Sequence, residues 1–237
     1  MRVKVLFDKY AVSKKLYTGW GVSFLLGDNV LFDTGENGSW LVRNMRMLKV
    51  DLSKLKAVVI SHDHWDHQGG LWELLKKKRG LMVYSCPGFS VEFKDKVKQL
   101  KGKIVESAGF KRVLGDIFVT GEIAGEYKGE YMPEQAIVVK SKKGISVITG
   151  CAHPGIVKMI EKVLDKFDGR VIYSVIGGFH LMEKDRRMLE LIAGRFKEHK
   201  IIKAGPTHCS GKTAEDIFKR KYSADFISIK VGKDIYV

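Results

Sequence analysis

Two spacings of apolar residues share this chain of 237 residues. Runs of five or six, rich in Val and Ile and bounded by Gly, Asp or Ser, recur from end to end: RVKVLF, VSFLL, NVLFD, AVVIS, LMVYS, KIVES, DIFVT, AIVVK, ISVIT, VIYSVI and FISIKV. Such runs predict β-strands. Between some of them the apolar positions open to intervals of three and four, in WLVRNMRMLK, GLWELLKKK, IVKMIEKVLDKF, RRMLELIAGRFKEH and AEDIFKRKY, which predicts amphipathic helices. In LLGDNVLF, Gly27 and Asp28 separate two apolar runs and predict a tight hairpin. Eleven strands exceed one ordinary sheet. Strand pairs come early in each half and strand-to-helix units later, so the pattern predicts an α/β fold of two mixed sheets packed face to face with helices outside. No linker or repeat interrupts it, and one domain over residues 1–237 is expected.

Composition narrows the partners. A net charge of +15 permits anionic ones. Runs such as KKKR (76–79) and KSKK (140–143) read as solvated faces, and neither zinc-finger spacing nor an RNA-binding aromatic motif accompanies them, so nucleic acid is not expected. No apolar run approaches the roughly 20 residues that span a bilayer, and MRVKVLFDKY is too short and polar for a signal peptide. A cytoplasmic protein without a membrane partner is the expectation. Cys86, Cys151 and Cys209 form no CxxC pair and should be reduced.

The chemistry concentrates in AVVISHDHWDHQGGL, where an apolar run delivers His62, His64, Asp66 and His67 before Gly69 and Gly70 open a helix. Imidazole and carboxylate suit Zn, Mn or Fe, and a loop leaving a strand can turn alternate residues inward. His62 and His64 can then share one metal while Asp66 and His67 face a second. One loop cannot close two coordination spheres, so further ligands must come from His153, His180, His199 or His208. His180 follows an apolar run and two glycines, and reads as a ligand, a substrate contact or a core histidine. His199, in EHK at a helix end, reads as exposed helix-end charge and is set aside. GPTHCSGKT mimics a P-loop, but Pro206 stands where its first glycine is required. Lys212 or Thr213 can meet a substrate anion, or Thr213 with Asp216 can cap the helix that follows. GEIAGEYKGEYMPE (121–134) reads as a loop over the site or as a plain hairpin.

His62, His64, Asp66 and His67 match the HxHxDH motif, and the sequence resembles the metallo-β-lactamase superfamily. That resemblance implies a four-layered αβ/βα sandwich holding one or two divalent metal ions, with zinc expected ahead of Mn or Fe. It makes Asp33, in LFDTG, either a carboxylate that orients a ligand or a turn cap. It makes His208 the last metal histidine. In VITGCAHPGI, Cys151 stands where the family's bridging Asp is usual, as a thiolate ligand or a small buried residue. His153 then replaces a histidine normally found earlier.

Taken together, SHDHWDHQGGL, EQAIVVKSKKGISVITGCAHPGI, GGFHL and PTHCSG resemble one branch of that superfamily, the 7,8-dihydropterin-6-methyl-4-(β-D-ribofuranosyl)aminobenzene-5′-phosphate synthases. The branch implies a transferase, dihydropteroate-synthase-like, that joins a pterin methylene to an aryl amine with loss of diphosphate. Its substrate would be an anionic small molecule such as a pterin diphosphate. Asp66 and His180 are the catalytic candidates, with His180 or a nearby base taking the amine proton. The bare metal motif also supports a hydrolase of phosphodiester, lactone or thioester bonds, in which Asp66 orients the attacking water.

Overall fold

The computed structural model describes residues 1–237. Strands β1 (Arg2–Phe7), β2 (Ser23–Leu26), β3 (Val30–Phe32), β4 (Ala57–Val59), β5 (Met82–Ser85) and β6 (Lys103–Glu106) lie side by side in that order. The chain then makes β7 (Lys111–Leu114), β8 (Ile117–Val119), a separate hairpin of β9 (Glu126–Tyr127) and β10 (Glu130–Tyr131), β11 (Ile137–Ser141), β12 (Gly144–Thr149), β13 (Ile172–Gly178) and β14 (Lys203–Thr207). The second sheet runs β14-β13-β12-β11-β8-β7, and β15 (Asp234–Tyr236) returns to the first sheet beside β1.

Helices α1 (Gly38–Met47), α2 (Trp65–Gln68), α3 (Leu71–Lys77) and α4 (Val91–Gln99) follow strands of the first sheet; α5 (Ile156–Lys166), α6 (Arg186–Glu198) and α7 (Lys212–Tyr222) follow strands of the second. Strand alternation explains the layers. In β3 and β4, Val30, Phe32, Ala57 and Val59 face the other sheet and pack with Val119, Ile137, Val139 and Ile148. Leu31 and Val58 face outward, against Leu41, Met45, Leu71 and Leu75 of α1 and α3. Val138, Val147 and Val175 do the same toward Met159, Ile160, Phe196 and Phe218 of α5, α6 and α7. These central strands are apolar on both faces because both sheets are covered on both. Fully burying one such side chain contributes about 1.5–3 kcal/mol. The result is the expected four layers, helices–sheet–sheet–helices.

Several elements differ from the sequence expectation, β14 and β15 among them. The run Phe226–Val231 is not a strand: Phe226 bridges to Ala204 at the edge of the second sheet and Val231 to Ala11 near the first, so it crosses between two edges without forming a ladder. Helix α4 and strand β7 were hidden by their charge, since VEFKDKVKQ buries only Phe93 and Val97, and KRVL only Val113. Thr213 caps nothing. Helix α7 begins at Lys212 behind Gly211, without a side-chain cap, and Lys212 pairs with Asp216 inside it. The Gly27 turn does join antiparallel β2 and β3, and no helix is long and apolar enough to cross a membrane.

The topology dictates where a site can form. Strands β3 and β4 are parallel, as are β12, β13 and β14. Their carboxyl ends come together, and the loops leaving them carry Asp33, His62 to His67, Cys151, His153, His180 and His208. The two sheets touch there because Gly150 has no side chain: a Cβ at that position would lie 2.1 Å from Ser61 Oγ and 2.7 Å from Asp33 Oδ2.

Candidate metal centre

Asp33 organises the first-sheet side. It ends β3 in the left-handed region, at φ 53°, an uncommon conformation for a residue with a side chain. Its fully buried carboxylate accepts from Ser61 N (2.7 Å), Ser61 Oγ (2.7 Å) and His67 Nδ1 (2.7 Å). Two tautomers follow. With Nδ1–H committed to Asp33, the His67 Nε2 is turned toward Asp66 Oδ2 (3.3 Å) and Cys151 Sγ (3.4 Å). The Ser61 hydroxyl gives its one proton to Asp33 and so accepts from His62 Nδ1 at 2.9 Å, which leaves His62 Nε2 facing His64 Nδ1 at 3.1 Å. Asp33 is thus the orienting carboxylate, not a mere turn cap.

The second-sheet side is set by a buried carboxylate that sequence reasoning passed over. Glu134 accepts from the backbone N–H of Cys151 (2.9 Å), Ala152 (2.8 Å) and His153 (2.8 Å), and thereby fixes a loop whose Ala152 is left-handed at φ 64°. Burial pushes its carboxyl up, and those three donors only partly offset this. The signal was an acidic residue directly before the apolar run AIVVK, beside Gln135, which donates from its backbone to Ser61 O and from its side chain to Ile60 O, both at 2.9 Å. His180 and His208 also leave their strands left-handed, at φ 54° and 52°. Strained positions of this kind collect where surrounding structure over-determines a functional geometry.

Two neighbouring ligand sets result. The ligand atoms of His62, His64 and His153 lie within 4.8 Å of one another, as do those of Asp66, His67 and His208. Cys151 is within the same distance of His62 and His67. His180 groups with Cys151 and His153, and Cys209 with Cys151 and His208. Every residue expected as a ligand is therefore gathered here. His199 is apart from the cluster, although it is half-buried against Glu161 (3.4 Å) instead of exposed, because α6 packs beside α5.

The electrostatics match a cation site. Burial and the neighbouring imidazoles of His180, His64 and His67 lower His153 to about 3, so it is neutral and free to donate a lone pair. Burial and the same crowding hold His62 well below its ordinary value. Burial alone would raise Asp66, but His67 and His208 reverse this and keep it ionised. His67 is pushed the other way: burial opposes its charge, yet Asp66 and Asp33 hold it well above the ordinary range. Buried carboxylates around an imidazole are asking for positive charge. Both ring nitrogens of His153 and the Nε2 of His208 are buried without a hydrogen-bond partner, a costly state that a metal ion relieves. The donor set therefore fits divalent metal.

The centre floors a cleft of about 400 Å³. Tyr127, from the β9–β10 hairpin, forms one wall, its ring 5.0 Å from those of His64 and His153 and 5.8 Å from that of His180. The segment 121–134 is thus a hairpin and also a cover for the site. Trp20, Trp65 and Met182 border the mouth, with Lys128 and Lys184 beside them. Behind His208, buried Asp8 accepts from Thr207 Oγ1 (2.7 Å) and Lys9 N (2.6 Å); burial nonetheless pushes its carboxyl up to about 7.

Known proteins share this fold. The chain is 28% identical, over 99% of its length and 96% of the relative's, to the 7,8-dihydropterin-6-methyl-4-(β-D-ribofuranosyl)-aminobenzene-5′-phosphate synthase of Methanocaldococcus jannaschii. The crystal structure of Tm1679, described as a metal-dependent hydrolase of the β-lactamase superfamily, superposes with a TM-score of 0.83 at 30% identity, covering 100% of this chain and 99% of that one. YhfI of Bacillus subtilis, a metallo-β-lactamase fold protein, shares the fold at a TM-score of 0.69 and 17% identity, over 99% of this chain and 98% of its own. The family model for the metallo-β-lactamase superfamily matches residues 21–155, more than half of the chain, and the protein is an enzyme belonging to that superfamily.

Proposed function

We infer that the chain is a two-metal transferase that joins a dihydropterin methylene to an aryl amine with loss of diphosphate. The observation that carries this reading is the pair of ligand sets on the floor of an aromatic-walled cleft, in a chain similar over nearly its whole length to the M. jannaschii synthase. His62, His64 and His153 would hold one ion and Asp66, His67 and His208 the other, with Cys151 between them. A sulfur at that bridging place favours zinc over Mn or Fe. When bound, the ions supply positive charge that neutralises a departing diphosphate or, in a hydrolase, activates water.

The remaining work falls to side chains. Tyr127, Trp20 and Trp65 offer flat apolar surfaces to a heteroaromatic ring, and Lys128 and Lys184 attract its anionic tail. His180 lines the cleft, half-buried, and is the group assigned to take the amine proton. Asp66, ionised through His67 and His208, holds charge on the second ligand set. One domain over residues 1–237, acting in the cytoplasm, is part of this reading; the inter-sheet core that joins strands from both ends of the chain supports the single unit.

A hydrolase is the second reading, favoured by the 30% identity to Tm1679 over the full chain. Elemental analysis of untagged protein, paired with turnover assays on pterin-diphosphate, phosphodiester and lactone substrates, separates the two. Metal with turnover of only the pterin substrate is the expected result. Ester cleavage alone replaces the transferase with the hydrolase, and protein that takes up no metal under any loading condition overturns both.

A further inference from the structure

We propose that Cys209 is a thiolate ligand of the metal centre, so that a thiophilic divalent cation is held by two sulfurs, those of Cys151 and Cys209. The proposal rests on the metal-centre reading and adds a ligand that the motif resemblance does not supply.

The three cysteines are all buried, and their surroundings separate them. Cys86 belongs to the apolar cluster between the first sheet and its helices, with Leu74, Val83 and Phe93, as a packing thiol does. Cys151 and Cys209 belong to no apolar cluster. The Cys209 Sγ contacts the Cys151 carbonyl (3.6 Å), and its Sγ, the Cys151 Sγ and a ring nitrogen of His208 lie within 4.8 Å of one another. Two sulfurs bound tetrahedrally to one zinc at about 2.3 Å stand roughly 3.8 Å apart, so a small inward adjustment suffices.

A second observation points to a ligand at this place. His208 Nε2 is buried and makes no hydrogen bond, although Asp66 Oδ2 is only 3.2 Å away, because the direction is wrong for one. A ring nitrogen of His208 lies within 4.8 Å of both sulfurs. The backbone also makes room for the sulfur: a Cβ on Gly178 would lie 2.8 Å from Cys209 Sγ. The turn carrying it is rigid, since Cys209 O accepts from Leu181 N and Met182 N, both at 3.1 Å, and Ser210 Oγ accepts from Phe179 N at 3.0 Å. Two thiolates soften the donor set and select zinc over manganese or magnesium.

Cobalt(II) loaded into the metal-stripped full chain gives a direct reading, through the near-ultraviolet sulfur-to-cobalt charge-transfer absorption. Cys209→Ser should reduce that absorption to about half while cobalt still binds, the Cys151→Ser/Cys209→Ser pair should abolish it, and Cys86→Ser should leave it unchanged. Wild-type intensity in Cys209→Ser overturns the proposal alone; a wild type that binds no cobalt overturns the metal centre with it. Should Cys209→Ser fail to fold, zinc X-ray absorption of the wild type decides: sulfur neighbours from two cysteines support the proposal, and a count satisfied by one overturns it.

Discussion

The first-sheet half of the centre, His62 to His67, comes from a single stretch of six residues, whereas the second-sheet half is gathered from the ends of β12, β13 and β14. The first is held by one carboxylate, Asp33, acting on two side chains and one backbone N–H. The second is held by backbone: Glu134 grips three successive N–H groups, and Ala152, His180 and His208 take left-handed conformations. Ligand geometry is therefore local on one side and a property of the whole fold on the other. Damage to the first side should remove metal and spare the fold; damage to the second should cost both.

The largest effect is expected from replacing both His62 and His64 by Ala. Metal content should fall by most of one equivalent or more and turnover by at least about 10³-fold, with an unchanged circular dichroism spectrum. Retained metal would remove the first ligand set from the site. Glu134→Ala is the counterpart on the other side. It leaves three buried N–H groups without an acceptor and should lower unfolding stability by about 3–5 kcal/mol in denaturant titration, together with loss of metal. A stable Glu134→Ala protein with native metal content would erase the contrast between the halves.

Asp33→Asn should act more mildly, because the chain around it persists. Metal affinity is expected to weaken about 10- to 100-fold in competition with a chelator. The smallest effect concerns Asp8, which lies behind His208 and outside the ligand sets. Its carboxyl stays protonated in the folded chain up to about 7, while the unfolded chain releases that proton above its ordinary value of 3.8. Between those pH values the folded state binds more protons, so the Asp8 contribution is present below pH 3.8 and is lost as pH rises toward 7. Asp8→Asn should flatten that decline and gain about 1 kcal/mol at pH 8, seen as a higher melting temperature. An unchanged pH–stability profile would mean that Asp8 ionises normally.

The same contrast explains what could be read in advance. Four ligands within one motif, after an apolar run that positions them, were legible because strand alternation and loop spacing are local properties. His153 and His208 were reached by elimination among the remaining histidines and by resemblance to the superfamily, not from a local spacing. Ser61 and Cys209 carried no local mark, and Glu134 and Tyr127 only a weak one: each acquires its role from contacts between segments far apart in sequence, such as Ser61 beneath Gly150. Strand β14 shows how tertiary position overrides a local rule. Its Pro206 lacks a backbone donor, yet it is accommodated because β14 lies at the edge of the second sheet.

The β9–β10 hairpin pairs with neither large sheet, but its tip places Tyr127 over His64, His153 and His180. Its sequence can be exchanged without altering the register of any strand that delivers a ligand. What the cleft accepts can thus be changed at the tip while the ligand sets beneath it keep their places.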